Sequence, residues 1–245
     1  MRLKGRRKLL PVSFLAWILA LYTISGCAAG ADTRTPKEWL SLSYSGLAAM
    51  DQYHFTGSLS MGMDEGVMFK PQMFEGKVVN HHQLTIQSDE KDPISWNPVE
   101  VLSKLNQSNA GVKIVREGVM ESETGSDKTL TIRVDELPKV TTERWDGLLR
   151  QQFNDVAGGP IESSNASAGK RRIVEQSKAE LEEMLSRLQA TAHYEIVIDK
   201  QRLLPLKMEE TTSFAYTRNG RPVKESRQTS VRFQKFEGSV DGSVQ

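Results

Sequence analysis

The chain has 245 residues and a single cysteine, and its 32 basic and 31 acidic residues almost cancel, to a net charge of +1. That length suits one large domain or two small ones, and one cysteine excludes an internal disulfide and a thiolate zinc cage. Five of the cations, Arg2, Lys4, Arg6, Arg7 and Lys8, precede the first acid, so the remainder is mildly acidic and lacks the cationic face that a nucleic-acid binder needs.

In chain order, the cationic residues 2–8 come first. Leu9 to Tyr22 then form a mostly apolar run, too short and too quickly ended for a spanning helix. Ile24-Ser25-Gly26-Cys27 follows: a branched apolar residue, two small residues, then cysteine. This resembles the lipobox of bacterial lipoproteins. The resemblance implies that residues 1–26 are a signal peptide and that the Cys27 thiol carries a diacylglyceryl group. It also implies that the mature chain begins at Cys27, on the extracytoplasmic face of a cell membrane. Burial contributes about 0.8 kcal/mol per methylene, so two acyl chains anchor stably where one is marginal. A secreted protein with an incidental Cys27, or an uncleaved anchor, is the alternative. Residues 27–34, small and polar after the cysteine, read as a tether.

A body over 35–237 comes next, followed by a tail over 238–245. Thr35-Pro36-Lys37-Glu38 is a capping box with proline at the first helical position, and Trp39, Leu40, Leu47 and Met50, with Tyr44, supply its apolar stripe. Asn97-Pro98-Val99-Glu100 opens a short second helix with Val101, Leu102 and Leu105 inward. A third is predicted from about Thr142 to Val156, with Trp145, Leu148, Leu149 and Val156 at helical spacing. A fourth is predicted from a capping box at Ser177, with Leu181, Met184, Leu185 and Leu188 buried. Residues 157–172 are rich in Gly, Ser and Ala and read as a surface loop. Core packing against a sheet is the bland account of all four stripes.

Strand patterns cover Tyr53–Met63, Val67–Ser88, Val112–Glu123, Lys128–Glu136, His193–Asp199, Leu203–Arg218 and Pro222–Phe236. The second divides in two if Pro71 and Gly76 interrupt it. Asn219-Gly220 is a strong two-residue hairpin signal, because both turn residues need positive φ. That loop sets Tyr216 opposite Val223, Met208 opposite Val231 and Leu206 opposite Phe233. A three-residue loop at Lys200-Gln201-Arg202 sets Ile198 opposite Leu204, Ile196 opposite Leu206 and Tyr194 opposite Met208. A meander follows, with rows Tyr194–Met208–Val231 and Ile196–Leu206–Phe233. Glu195, Lys207, Glu209, Arg232 and Gln234 fall on its watery face. A hairpin near Thr124-Gly125-Ser126-Asp127 has Leu130, Ile132 and Val134 inward, with its register open. The fold class is therefore α+β: a curved antiparallel sheet, or half-barrel, with helices covering one face.

Lipobox, helix, long antiparallel strands, covering helices and a final meander together resemble the LolA/LolB/LppX-like lipoprotein-carrier superfamily. The passage HYEIVIDKQRLLPLKME followed by RFQKFE carries the closest local likeness. The resemblance implies a greasy cavity for acyl chains. It would fall on Trp39, Leu47, Trp145, Leu149, Met184 and Leu188 from helices, and on Tyr194, Leu206 and Phe233 from the sheet. A dry, filled core made of the same residues is the other outcome. Met61, Met63, Met68, Met73 and Met120 suit an adaptable pocket, and almost equally an ordinary core.

Chemical constellations are weak. On a strand, His81 and His82 point to opposite faces and cannot easily share a metal, and His54 and His193 are single. Gly158-Gly159 lacks a phosphate-loop lysine pattern, Glu180, Glu182 and Glu183 read as a solvated helix face, and Asp64-Glu65-Gly66 reads as a turn. Neither a cofactor nor a metal nor an enzyme activity is expected. The expectation is a membrane-tethered binder of a lipid or other hydrophobic ligand. The alternative is an envelope protein-interaction or regulatory module working through the sheet edge or the long loop.

Overall fold

The computed structural model describes residues 33–63, 69–88, 97–122, 125–161 and 168–238. The signal and lipobox residues, Asp64 to Gly66, Met68 and the centre of the Gly/Ser-rich segment lie outside them. The chain divides into two units, Met1–Thr35 and Pro36–Gln245, and the architecture is that of the second. Its strands are β1 (Gln52–Met63), β2 (Gln72–Val79), β3 (Gln83–Ser88), β4 (Gly111–Ser122), β5 (Gly125–Asp135), β6 (Gln189–Asp199), β7 (Pro205–Arg218) and β8 (Arg221–Glu237). Its helices are α1 (Pro36–Ala48), α2 (Pro98–Gln107), α3 (Pro138–Ile161) and α4 (Ala168–Leu185). The strands form one open, curved sheet, antiparallel throughout, in the order β3-β2-β1-β8-β7-β6-β5-β4. The fold class is α+β.

Two connections shape the covered face. β3 and β4 are opposite edges of the sheet, so the link between them crosses its whole width, and it contains α2. β5 and β6 are neighbours, yet α3 and α4 lie between them in sequence, so this pair is an excursion over the same face. α2 packs on α1, while α3 packs on β6 and α4 on β7.

The helix starts follow local chemistry. The Asn97 side-chain oxygen accepts from the amides of Val99 at 3.0 Å and Glu100 at 3.5 Å, capping α2. α3 begins at Pro138 rather than near Thr142, because proline is favoured at the first helical position. Val156, expected inward, is 77% exposed, since the α3 residues that join the core end at Leu149. α4 begins at Ala168, nine residues before the Ser177 capping box. Lys170, Arg171, Gln176 and Glu180 are good helix formers, and Gln176 donates to Glu180 one turn on at 3.1 Å. The segment over 157–172, expected as a loop, is thus helical over its described residues, 157–161 and 168–172. Its apolar stripe starts only at Leu181, so periodicity missed the solvated first half.

The sheet corrects three further expectations. Gly76 does not interrupt a strand: it sits inside β2 opposite Phe55, where a Cβ would lie 2.2 Å from the Phe55 ring. The break comes at Asn80–His82, a turn in which Asn80 and His81 take φ of +53° and +64°. His81 and His82 are therefore turn residues, and His81 Nε2 lies 2.9 Å from the Asp51 carboxylate. The Thr124 hairpin turns earlier than expected, since Ser122 already pairs with Gly125.

The Asn219-Gly220 turn has φ of +52° and +73°. Its register runs from Arg218 opposite Arg221 to Lys207 opposite Arg232, with Tyr216 on Val223 and Met208 on Val231 as the turn dictates; the pairing ends one step before Leu206 and Phe233. The β6–β7 register is shifted by two: Ile196 meets Met208, and Tyr194 meets Glu210. The rows are therefore Ile196–Met208–Val231 and Tyr194–Glu210–Thr229. The cause is a longer turn. Asp199 accepts from the amides of Gln201 at 2.7 Å and Arg202 at 3.0 Å, and Leu203 enters the left-handed region at φ +58°. An even shift keeps each side chain on its face, so Tyr194, Ile196 and Met208 stay buried.

The core has two parts. The larger joins Trp39, Leu40 and Leu47 of α1 and Leu102 and Leu105 of α2 to Tyr53, Phe55, Ile132, Ile196, Met208 and Phe233 of the sheet. The smaller joins Trp145 of α3, Leu185 and Leu188 to Ala190 and Phe214, with Leu148, Leu149, Leu181 and Met184 half-buried around it.

Candidate functional site

Between the crossing helix α2 and the excursion α3 lies an open cleft of about 870 Å³, within the roughly 300–1,000 Å³ usual for ligand pockets. One wall is the α2 face of Val101, Lys104 and Leu105. The other is the α3 face of Trp145, Leu148 and Leu149, continued by Met184 and Leu188. The floor is the inner face of the central strands: Leu59 and Met61 of β1, Tyr194 of β6, Glu210, Phe214 and Tyr216 of β7, and Glu225 and Arg227 of β8. A smaller hollow of about 330 Å³ lies over β1 to β3 on the opposite face, floored by His54, Thr56, Glu75 and Lys77. It lacks the apolar wall of the larger cleft.

The cleft floor holds a polar belt that separates the two core clusters. A guanidinium nitrogen of Arg144 lies 2.9 Å from Glu136 and 3.7 Å from Glu210, and it donates to the Tyr194 hydroxyl at 3.0 Å. The Tyr194 hydroxyl faces Glu210 at 3.3 Å, Thr212 donates to the same carboxylate at 3.0 Å, and Thr141 donates to Glu136 at 2.7 Å. Glu136 and Glu210 are almost fully buried, so these contacts offset their desolvation. Burial, reinforced by the neighbouring Glu210, pushes the Tyr194 phenol well above its ordinary range, so it stays protonated. Tyr216 donates to Glu225 at 2.9 Å, and burial together with this bond pushes its phenol up to about 12.

Trp145 is the hinge of the site. Its ring meets Phe214 edge-on at 4.9 Å, and it lies between two cations, with Arg144 5.6 Å and Arg227 5.0 Å from the ring centroid.

Of the residues that the sequence nominated, Trp145, Leu149, Met184, Leu188 and Tyr194 come together in this cleft. Trp39, Leu47, Leu206 and Phe233 do not: all four are buried, and Trp39, Leu47 and Phe233 pack in the larger cluster away from it. Met61 lines the cleft, whereas Met63 and Met73 are exposed and Met120 is half-buried on an edge strand. Arg144, Glu136, Glu210 and Arg227 were missed. The signal was available, since Glu210 and Arg227 share the parity of Met208 and Val231 in the Asn219-Gly220 register. His54 and His193 are half-buried on strands, and Glu182 is exposed, paired with Arg150. Among the described residues no cluster of ligating side chains could hold a metal, and no helix is long and apolar enough to cross a membrane.

Comparison with solved structures finds likenesses of fold. The chain is similar to the Mycobacterium tuberculosis lipoprotein LppX, with 8% identity and a TM-score of 0.33 over 84% of this chain and 97% of that one. It is also similar to a LolA superfamily protein from Nitrosomonas europaea, with 6% identity and a TM-score of 0.26 over 84% and 94% of the two chains. No protein-family model matches the chain, and no curated protein does.

Proposed function

We propose that this is a cell-envelope lipoprotein, anchored through Cys27, whose body over residues 35–237 binds a hydrophobic or amphipathic molecule in the α2–α3 cleft and does no chemistry on it. The observation that supports this is the cleft itself: it is open, of ligand size, and walled by Trp145, Leu148, Leu149, Met184 and Leu188. Apolar surface of this kind gains by exchanging water for an apolar occupant. The carboxylates in the floor are held by Arg144, Tyr194, Thr141 and Thr212 rather than aimed at a reactant. Two tests separate anchor from cleft. The full chain, expressed in a bacterial host, should incorporate radiolabelled fatty acid and stay with membranes, and Cys27→Ser should abolish both. Native mass spectrometry of the full chain in neutral detergent should show lipid bound beyond any covalent acyl groups. A chain that carries none and ignores added phospholipid overturns the binding role.

A second reading has its own observation. β4 is an edge strand whose Ile114, Val115 and Val119 are 43%, 50% and 66% exposed. An exposed apolar edge of this sort suits pairing with a strand of a partner protein, and crosslinking at Val119 tests it.

A further inference from the structure

Building on the cleft as an amphiphile site, we propose that Arg227 selects the occupant's head group: the ligand is an acyl-chain amphiphile with an anionic carboxylate or phosphate. Arg227 projects from the inner face of β8, opposite Thr212, into the floor beside the apolar wall. Among the described residues no side chain hydrogen-bonds it and no carboxylate lies within ion-pair distance; its one close partner is the Trp145 ring at 5.0 Å. Arg144, on α3 and against the same Trp145 ring, is the contrast. It touches Glu136, Glu210 and Tyr194, while the remaining contacts of those carboxylates go to Thr141, Tyr194 and Thr212. Glu225, the other carboxylate of the floor, is engaged by Tyr216.

Close to Trp145, donors are therefore in surplus, while Glu100 and Glu143, the remaining carboxylates of the lining, stand on the helices α2 and α3. Arg227 offers a planar fork without an acceptor, and Arg144 Nε and Trp145 Nε1 are buried with no hydrogen-bond partner. Burial disfavours the charge on Arg227 and the like charge of Arg144 adds to this, with Glu210 at longer range to support it. An anion supplies what is lacking, and a guanidinium matches carboxylate or phosphate geometry with two parallel hydrogen bonds. Leu149, Met184 and Leu188 border the same space, so a tail attached to that anion lies on apolar surface. A free anion would leave this wall wet; a neutral lipid would leave Arg227 unpaired.

Native mass spectrometry of the full chain in neutral detergent tests this with four probes: palmitate, lysophosphatidic acid, 1-hexadecanol and inorganic phosphate. Palmitate or lysophosphatidic acid should bind about tenfold or more tightly than 1-hexadecanol, and which of the two wins identifies the head group. Arg227→Gln should erase that preference, and Arg227→Lys should restore part of it. Equal binding of charged and neutral probes by the parent chain overturns the head-group assignment and leaves the cleft's binding role intact. So does an Arg227→Gln chain that keeps the preference. Inorganic phosphate bound as tightly as the amphiphiles overturns the part played by the tail. Failure of every probe overturns both the assignment and the binding role beneath it. Near-ultraviolet circular dichroism, which sums over the tryptophans and tyrosines of the chain, shows whether each variant keeps the parent's aromatic packing.

Discussion

The two halves of the covered face use the same kind of residues to opposite ends. Under α1 and α2, Trp39, Leu40, Leu47 and Leu102 close onto Phe55, Ile196 and Met208, and every one of these is buried at 2% exposure or less. Under α3 and α4, Trp145, Leu185 and Leu188 are buried at 5–7%, but Leu148, Leu149, Leu181 and Met184 are only half-buried. The first half is filled, and the second stops short. The polar belt of Glu136, Arg144, Tyr194 and Glu210 lies between them and keeps the core from running on. A buried ion pair seldom stabilises a fold more than well-packed apolar residues would. The belt is thus better explained as a boundary and a floor than as a fastening. What the contrast teaches is that an apolar stripe at helical spacing says a face is inward, and the topology decides whether anything fills the space before it.

Substitutions can break this contrast. The largest expected effect is Trp39→Ala in the filled half. It should cost about 3–5 kcal/mol, read from the urea midpoint, with unfolding near room temperature an acceptable extreme. A loss below about 1 kcal/mol would mean that the α1 end is not a closed core. Leu149→Ala in the open half should cost only about 1 kcal/mol of stability, because the side chain is half-buried and the cleft already gives it an unfilled neighbour. The same change should weaken a bound acyl-chain probe by roughly fivefold through lost apolar contact. Equal stability losses at Trp39 and Leu149 would erase the distinction between the halves.

The smallest effect concerns the reverse face of β6, behind Tyr194. Partial burial, aided by the neighbouring Arg133, lowers the His193 pKa below its ordinary 6.5, against Asp135 and Glu195. A depressed pKa means that the folded state resists protonation. The stability linked to this histidine is therefore complete above its ordinary pKa of 6.5, declines as the pH falls below it, and is lost once the pH passes the lower folded value. His193→Gln should flatten this part of the stability profile, measured as urea midpoints above and below pH 6.5. It should leave amphiphile binding unchanged, because the residue faces away from the cleft. An unchanged acid slope in the variant would place its cause elsewhere.

Several elements were legible because their signals are local. The Thr35-Pro36 and Asn97-Pro98 starts need only neighbouring residues to satisfy free amides, and Asn219-Gly220 fixes β7 against β8 because few residue pairs accept its dihedral angles. The misread elements had competing local solutions. Ser177 begins a capping box that α4 does not use, since a helix can nucleate at any earlier run of good formers. Gly76 reads as a breaker until the Phe55 ring that crosses it is known. The β6–β7 turn was misjudged by two residues because Asp199 folds back on the amides of Gln201 and Arg202, a choice that alternation alone cannot see.

Periodicity and the short-range demands of backbone groups were enough for the α+β class, the pairing at the last hairpin and most of the inward-facing residues, Val156 being an exception. Only the tertiary structure decided that Trp39 and Phe233 are packed core while Trp145 and Leu149 line a cleft, and that Arg227 stands there without a carboxylate. Those outcomes depend on where the β3–β4 link sets α2 on its way across the sheet and on α3 packing over β6. The width of the gap between two helices distant in sequence is a property of the assembled sheet, and no residue pattern along either helix encodes it.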